Sequence, residues 1–132
     1  VYMSKDDRAF LESPKEVRAS SFGMQIEAAD VDVFVKEGDE IPFSEGTIKV
    51  IETPGHTLGS VCYLFENYLF AGDTLFNGSI GRTDFPESDH SLMIESLKKL
   101  KKLDAEIYVL SGHGPESQIS YEKMTNPYLR QL

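Results

Sequence analysis

Three apolar segments of this sequence each end in a short turn that carries one side chain able to bind a metal ion. The segments and their turns are 50–51 before Pro54-Gly55-His56, 68–70 before Gly72-Asp73, and 107–110 before Gly112-His113-Gly114. Strands fix the backbone at such positions, and glycine lets the chain turn tightly beside an ion or a substrate. The pattern therefore predicts strands whose ends bring His56, Asp73 and His113 to one site.

The segment from 60 to 71 gives the strongest local prediction, a β-hairpin. Residues 60–65 are almost wholly apolar, Glu66-Asn67 provides a tight turn, and residues 68–71 return as a second strand. Strands that are apolar throughout are usually covered on both faces. The sheet is therefore expected to pack against helices or against a second sheet.

Periodicity and turn-forming residues predict the remaining elements. Further strands are expected at 1–4, 32–36, 47–53 and 107–110, with a turn at 37–40 and a long structured loop at 74–88. A short helix is expected over 5–11, capped by Ser4 and either ended or restarted at Ser13-Pro14, and a loop at 20–23. Residues 121–132 are expected to be a short tail in which Asn126-Pro127 breaks any helix.

One longer helix is predicted over 90–103, with Ser88 or Asp89 as its N-cap. Its inward stripe consists of Leu92, Met93, Ser96, Leu97, Leu100 and Leu103. Four lysines fall near its end, at 98, 99, 101 and 102, where they suit the helix dipole better than they indicate a phosphate-binding patch.

Composition narrows the class of protein. A chain of 132 residues, 40% of them apolar, fits a single domain over 1–132 with one core. The net charge of -9, from 22 acidic and 13 basic residues, argues against a nucleic-acid or anionic-membrane partner. One cysteine, no apolar run near the roughly 20 residues of a membrane helix, and no signal peptide make a cytoplasmic location the expectation.

Each candidate residue also has a structural interpretation. His56 could bond locally within its turn, Asp73 could cap a turn, and His113 could lie in a surface turn. Taken jointly, two histidines and one carboxylate are a plausible metal set, suited to zinc, iron or manganese. Arg82 and Asp84 are either an ion pair within the loop or residues that pin the loop beside the ligands.

Two further side chains favour the structural interpretation. His90 lies among Ser88, Asp89 and Ser91 without a glycine frame, so we expect a residue of the first helical turn. Cys62 lies in the middle of an apolar strand and is expected to be a small core side chain instead of a nucleophile.

Four motifs together resemble the metallo-β-lactamase superfamily, specifically its short glyoxalase II-like hydrolases. They are the segments 53–60, 71–76, 78–86 and 111–115, read as TPGHTLGS, AGDTLF, GSIGRTDFP and SGHGP. The resemblance implies an αββα sandwich with the metal site at one edge, between two sheets. It also implies that His56 serves a first metal, that Asp73 bridges two metals, and that His113 serves the second.

The sequence departs from this family in one respect. The family's His-x-His-x-Asp-His motif is absent from the 132 residues, and that motif normally precedes the segment resembling residues 1–4. The chain is therefore expected to represent the C-terminal part of a family domain. It should bind at most one ion weakly, show little or no turnover, and expose a sheet face through which two copies could pair about a two-fold axis.

The resemblance implies three functional hypotheses. The first is a zinc-dependent hydrolase of small-molecule thioesters, similar to hydroxyacylglutathione hydrolases, with two metal ions in an intact relative. The second is a persulfide dioxygenase-like enzyme with one iron, which shares a loop similar to residues 81–84. The third is a non-catalytic domain of the same fold that dimerises through its exposed sheet.

Overall fold

The computed structural model describes residues 2–7 and 32–132. Its strands are β1 (Tyr2–Met3), β2 (Val33–Phe34), β3 (Glu40–Phe43), β4 (Gly46–Glu52), β5 (Val61–Phe65), β6 (Tyr68–Gly72), β7 (Leu75–Phe76), β8 (Ser79–Ile80), β9 (Tyr108–Ser111) and β10 (Ser117–Gln118). The α-helices are α1 (His90–Lys101), α2 (Ile119–Thr125) and α3 (Pro127–Arg130), and Lys5–Asp7 form one turn of 3-10 helix.

Six strands form the main sheet in the order β10-β9-β6-β5-β4-β3. Neighbours are antiparallel except β6 and β9, which run parallel. Parallel strands need a long crossover, and the segment between them supplies it with the β7–β8 hairpin and helix α1. This connection sets the end of β6 beside the end of β9, so the residues after both strands meet.

Helix α1 confirms the predicted helix, although it ends at Lys101 instead of Leu103. The carboxylate of Asp89 caps it by accepting a hydrogen bond from the Leu92 amide at 3.0 Å. Its buried residues are Met93, Ser96, Leu97 and Leu100, and the three apolar ones share a core cluster with Cys62, Leu69, Ala71 and Val109 of the sheet. One face of the main sheet is therefore covered by helix, and the core lies between them.

The other face of the main sheet exposes aromatic side chains. Tyr68, Phe70 and Tyr108 share this face and are 42%, 45% and 43% exposed. The rings of Tyr68 and Tyr108 stack on each other at 5.8 Å between centroids. The expectation that these strands are covered on both faces is wrong for the described residues, whereas the exposed face expected from the resemblance is present.

Three sequence predictions differ from the structure. The predicted loop over 74–88 contains the β7–β8 hairpin, and the predicted tail holds helices α2 and α3. Asn126-Pro127 does interrupt the helix, but Asn126 then caps α3 by accepting from the Tyr128 amide at 2.9 Å, with Pro127 in the first turn. The predicted turn at 37–40 overlaps the edge strand β3, because Glu40 already pairs with Lys49.

At the N-terminal end, the predicted strands at 1–4 and 32–36 shorten to β1 and β2, which pair in parallel. Ser4 caps the turn Lys5–Asp7, since its hydroxyl accepts from the Asp6 amide at 3.3 Å. The rest of the helix predicted over 5–11, its end or restart at Ser13-Pro14, and the loop at 20–23 lie outside the described residues. Within the described part of the chain, no helix has the length and apolar character needed to cross a membrane.

Candidate metal centre

The turn that carries His56 is attached to the start of helix α1. Three consecutive carbonyls of this turn accept hydrogen bonds: Pro54 from the Ser96 hydroxyl at 2.7 Å, Gly55 from the Asp89 amide at 2.8 Å, and His56 from the Ser88 hydroxyl at 2.7 Å. Gly55 has φ +153, and a Cβ there would lie 2.6 Å from the Cα of Met93. Helix α1 approaches this position so closely that only glycine fits there.

Asp7 holds the same turn from the opposite side. Its carboxylate accepts from the Thr57 hydroxyl at 2.6 Å and from the Gly59 amide at 2.9 Å. Gly59 packs directly on Asp7, since a Cβ would lie 2.5 Å from the carboxyl carbon. No local motif marks Asp7, because it lies 50 and 52 residues before its two partners, Thr57 and Gly59.

The imidazole of His56 has a defined orientation. Its Nδ1 lies 2.9 Å from the carbonyl oxygen of Arg82, and a carbonyl can only accept, so Nδ1 carries the proton. The other nitrogen, Nε2, lies 3.4 Å from Oδ2 of Asp73. In the neutral ring, the lone pair of Nε2 therefore points toward the carboxylate, as in histidines that bind metals.

Asp73 presents its two carboxylate oxygens to two different histidines. Oδ2 faces His56, and Oδ1 lies 3.2 Å from Nε2 of His113. Two glycines allow this approach: a Cβ on Gly112 would lie 2.7 Å from Oδ1, and a Cβ on Gly81 would lie 1.6 Å from the Asp73 carbonyl oxygen. The Gly112 amide also donates to the Gly72 carbonyl at 2.7 Å, which joins the ends of β6 and β9.

His113 lies at the open side of the site. Its side chain is 74% exposed, compared with 37% for Asp73 and 21% for His56. The ring meets Phe76 edge to face at 5.7 Å between centroids. The structure thus brings all three predicted ligands together at the ends of strands, with the surface open on the side of His113.

Arg82 and Asp84 form an ion pair within the loop that follows β8. The guanidinium donates to the two oxygens of Asp84 at 2.9 and 2.7 Å and lies 4.3 Å above the Phe85 ring. The pairing with Asp84 raises the pKa of Arg82. Phe85 in turn lies 5.9 Å from the His56 ring, so this loop borders the site through an aromatic contact and through the Arg82 carbonyl.

His90 and Cys62 lie in structural positions, as predicted from their sequence context. His90 begins helix α1, and its Nδ1 lies 2.9 Å from the Thr83 hydroxyl. Cys62 is fully buried in the core beside Thr53, and this burial raises the pKa of its thiol to about 11. Its thiolate is therefore scarce at neutral pH, which agrees with the predicted inert side chain.

The three side chains offer one nitrogen and one oxygen donor on each side of the Asp73 carboxylate. In the ranges 2–7 and 32–132, no group of three or more His, Cys, Asp or Glu side chains is arranged to hold a metal ion. Each oxygen of Asp73 instead faces one imidazole nitrogen, which gives two separate pairs of nitrogen and oxygen donors. Such donors suit zinc or iron. Each pair supplies two donors, whereas a closed zinc site has four protein ligands.

Comparison with known proteins gives matches over nearly the whole chain. A profile of the metallo-beta-lactamase superfamily matches residues 1–113. The hydroxyacylglutathione hydrolase GloC of Haemophilus influenzae is 33% identical over 138 residues, covering 98% of this chain and 63% of that protein.

Two crystal structures have a main-chain fold similar to that of this chain. BLEG-1 B3 metallo-beta-lactamase superposes with a TM-score of 0.90 and 38% identity, over 98% of this chain and 64% of that one. TTHA1623, solved in a di-iron-bound form, superposes with a TM-score of 0.85 and 33% identity over the same shares. The present chain thus spans less than two thirds of the length of each of these three proteins.

Proposed function

The chain belongs to the metallo-β-lactamase superfamily, and from this premise we propose that it contributes to a metal-dependent hydrolase acting on thioesters of the hydroxyacylglutathione type. The fold class predicted from the sequence, the α/β metallo-β-lactamase fold, is confirmed by the superposition on BLEG-1. One observation carries the functional proposal: His56 and His113 face opposite oxygens of Asp73, at 3.4 and 3.2 Å. This is the arrangement expected of a carboxylate shared by two metal ions.

The proposed reaction adds water across the acyl carbon–sulfur bond. Water supplies its oxygen to the acyl carbon, the carbon–sulfur bond breaks, and the products are a carboxylic acid and a thiol. Bound metal ions of this kind lower the pKa of a coordinated water toward neutrality and polarise a carbonyl oxygen. The similarity to GloC of Haemophilus influenzae supports the choice of a thioester substrate.

The residues of this chain would hold the metals in defined orientations. His56 is fixed by its hydrogen bond to the Arg82 carbonyl, which leaves Nε2 as its ligand atom. Asp73 would contribute one oxygen to each position, and its backbone is wedged against Gly81. His113 would bind at the exposed end, where a substrate can approach because the ring is 74% exposed.

We further propose zinc as the metal, with iron or manganese as the alternatives. The histidine and carboxylate donors are compatible with each of them, and TTHA1623 has been solved with two irons. Each position receives only one imidazole and one carboxylate oxygen from the described residues. This chain by itself should therefore bind metal weakly and turn over thioester slowly or not at all.

A chimera tests the proposal directly. The part of GloC outside its match to this chain would be joined to residues 1–132, and thiol release from S-lactoylglutathione would be followed with a chromogenic disulfide. We expect metal-dependent release by the chimera, loss of release in its Asp73→Asn variant, and none from the 132-residue chain alone. Rapid release by the chain alone would refute the incomplete-site proposal, and none by a folded, metal-loaded chimera would refute the thioesterase.

A second candidate function is hydrolysis of β-lactams. The observation that favours it is the TM-score of 0.90 with a protein named as a B3 metallo-beta-lactamase. The same site would serve, since a cyclic amide also needs a polarised carbonyl and an activated water. The same chimera, supplied with a chromogenic cephalosporin, decides between the two: preference for the cephalosporin over the thioester would replace our first proposal.

The persulfide dioxygenase-like alternative has less support from the geometry. It would place one iron between two histidines and one aspartate, whereas the two imidazoles here approach different oxygens of Asp73. Elemental analysis of the chimera separates the two hypotheses. Two equivalents of zinc favour the hydrolase, and one equivalent of iron favours the dioxygenase.

A further inference from the structure

Helix α2 contains a carboxylate that is completely buried. Glu122 is 0% exposed, and so is its neighbour on the next helical turn, Asn126. The carboxylate accepts three hydrogen bonds, from the Gly78 amide at 2.9 Å, from Asn126 Nδ2 at 2.9 Å, and from the Ser117 hydroxyl. Burying a carboxylate is costly, and such a group is retained only where its hydrogen bonds are well satisfied.

We propose that Glu122 is a positioning residue for the metal centre: it fixes the segment that follows Asp73 relative to the segment that follows His113. The inference rests on the proposed function, because the relative position of Asp73 and His113 matters for activity only if both side chains bind metal. Glu122 itself touches none of the three candidate ligands.

The first connection runs through the β7–β8 hairpin. Glu122 holds the Gly78 amide at the tip of this hairpin, and Asn126 Nδ2 donates to the Ser79 carbonyl at 3.1 Å. Strand β8 leads directly to Gly81, whose amide donates to the Thr74 carbonyl at 3.1 Å and which leaves no room for a Cβ against Asp73. The position of the hairpin therefore sets the position of the Asp73 backbone.

The second connection runs through strand β10. The hydroxyl of Ser117 donates to the other oxygen of Glu122, and Ser117 pairs with Val109 of β9 in the main sheet. The loop between β9 and β10 carries His113, so both ends of that loop are held. One side chain thus joins the two segments whose separation determines the 3.2 Å contact between Asp73 and His113.

The chemistry of the three donors identifies a conservative substitution. Gly78 and Asn126 present N–H groups to Oε1, so an oxygen must remain there, whereas the Ser117 hydroxyl can rotate and accept from an amide. Glu122→Gln should therefore keep all three contacts. Glu122→Ala removes all of them, and Ser117→Ala removes only the connection to the His113 loop.

The test compares these three variants with Leu100→Ala, a truncation in the core of helix α1 that lowers global stability without removing a hydrogen bond of the hairpin. The first measurement is hydrogen exchange of the Gly78 and Gly112 amides without metal, relative to the slowest amides of the main sheet. The second is the affinity for cobalt(II), followed by its visible spectrum.

We expect faster hydrogen exchange of both amides in Glu122→Ala and of the Gly112 amide alone in Ser117→Ala. Exchange in Glu122→Gln should match that of the parent chain. Cobalt affinity should fall about 10-fold to 100-fold in Glu122→Ala, the usual cost of losing a residue that supports ligands. Exchange at Gly112 in Glu122→Ala and Ser117→Ala no faster than in Leu100→Ala would overturn the inference. If the parent chain binds no cobalt while Gly112 responds as expected, the metal proposal fails, and what stands is that Glu122 holds the two segments together.

Discussion

The Nδ1 atom of His56 lies 2.9 Å from the main-chain carbonyl oxygen of Arg82, across 26 positions of sequence. This contact gives the loop after β8 a direct role in orienting a candidate ligand. The guanidinium of Arg82 pairs with Asp84 and lies over the Phe85 ring. A residue selected for its side chain therefore acts on the site through its backbone.

The first prediction concerns the two histidines. His56→Ala and His113→Ala should each lower the affinity for zinc, while His113→Ala changes the free energy of unfolding by no more than about 0.5 kcal/mol because the ring is exposed. His56→Ala should cost about 1 kcal/mol, for the hydrogen bond to Arg82. Zinc titration and urea unfolding in chelator measure both quantities. A large loss of stability without metal in His113→Ala would assign that histidine a structural role instead.

The second prediction concerns Gly112. Gly112→Ala should reduce metal affinity on the order of tenfold or more, since its Cβ would come within 2.7 Å of Asp73 Oδ1 and displace the carboxylate. Gly114→Ala is the matched control: its Cβ meets nothing within 4 Å, but its φ of +82 should cost stability of about 1 kcal/mol. Equal metal affinities in the two variants would contradict the steric argument.

The third prediction concerns pH. Burial raises the pKa of the Cys62 thiol from 9.0 to about 11. The unfolded chain loses this proton first, so the stability due to Cys62 is complete below about pH 9 and is lost as pH rises toward 11. The total loss is about 3 kcal/mol at most. Urea unfolding of the parent chain and of Cys62→Ala between pH 8 and pH 10.5 should show a pH-dependent difference, and parallel curves would exclude this linkage.

The fourth prediction concerns the exposed face of the main sheet. Exposed aromatic side chains such as Phe70, at 45%, should make the isolated chain self-associate, in agreement with the two-fold pair expected from its sequence. Phe70→Lys should weaken this association in light scattering after gel filtration. Met124→Lys, on helix α2 and 75% exposed at the parent residue, is the control. A parent chain that stays monomeric at high concentration would exclude the dimer.

Local patterns were sufficient for much of the fold. The apolar segments around Glu66-Asn67 predicted the hairpin β5–β6, and the periodicity from His90 onward predicted helix α1. Short elements were missed: β7 and β8 have two residues each and α3 has four, too few to produce a periodic pattern. The β7–β8 hairpin is held by contacts with Glu122 and Asn126, which are distant from it in sequence.

The sequence by itself determined which side chains could serve as ligands and that each follows a strand, because glycine and proline leave a recognisable pattern around His56, Asp73 and His113. Only the tertiary structure decided how they meet. The contacts that orient them use main-chain groups, such as the Arg82 carbonyl and the Gly59 and Gly78 amides. Nearly every residue carries the same main-chain groups, so residue types along the chain cannot reveal which of them will be used.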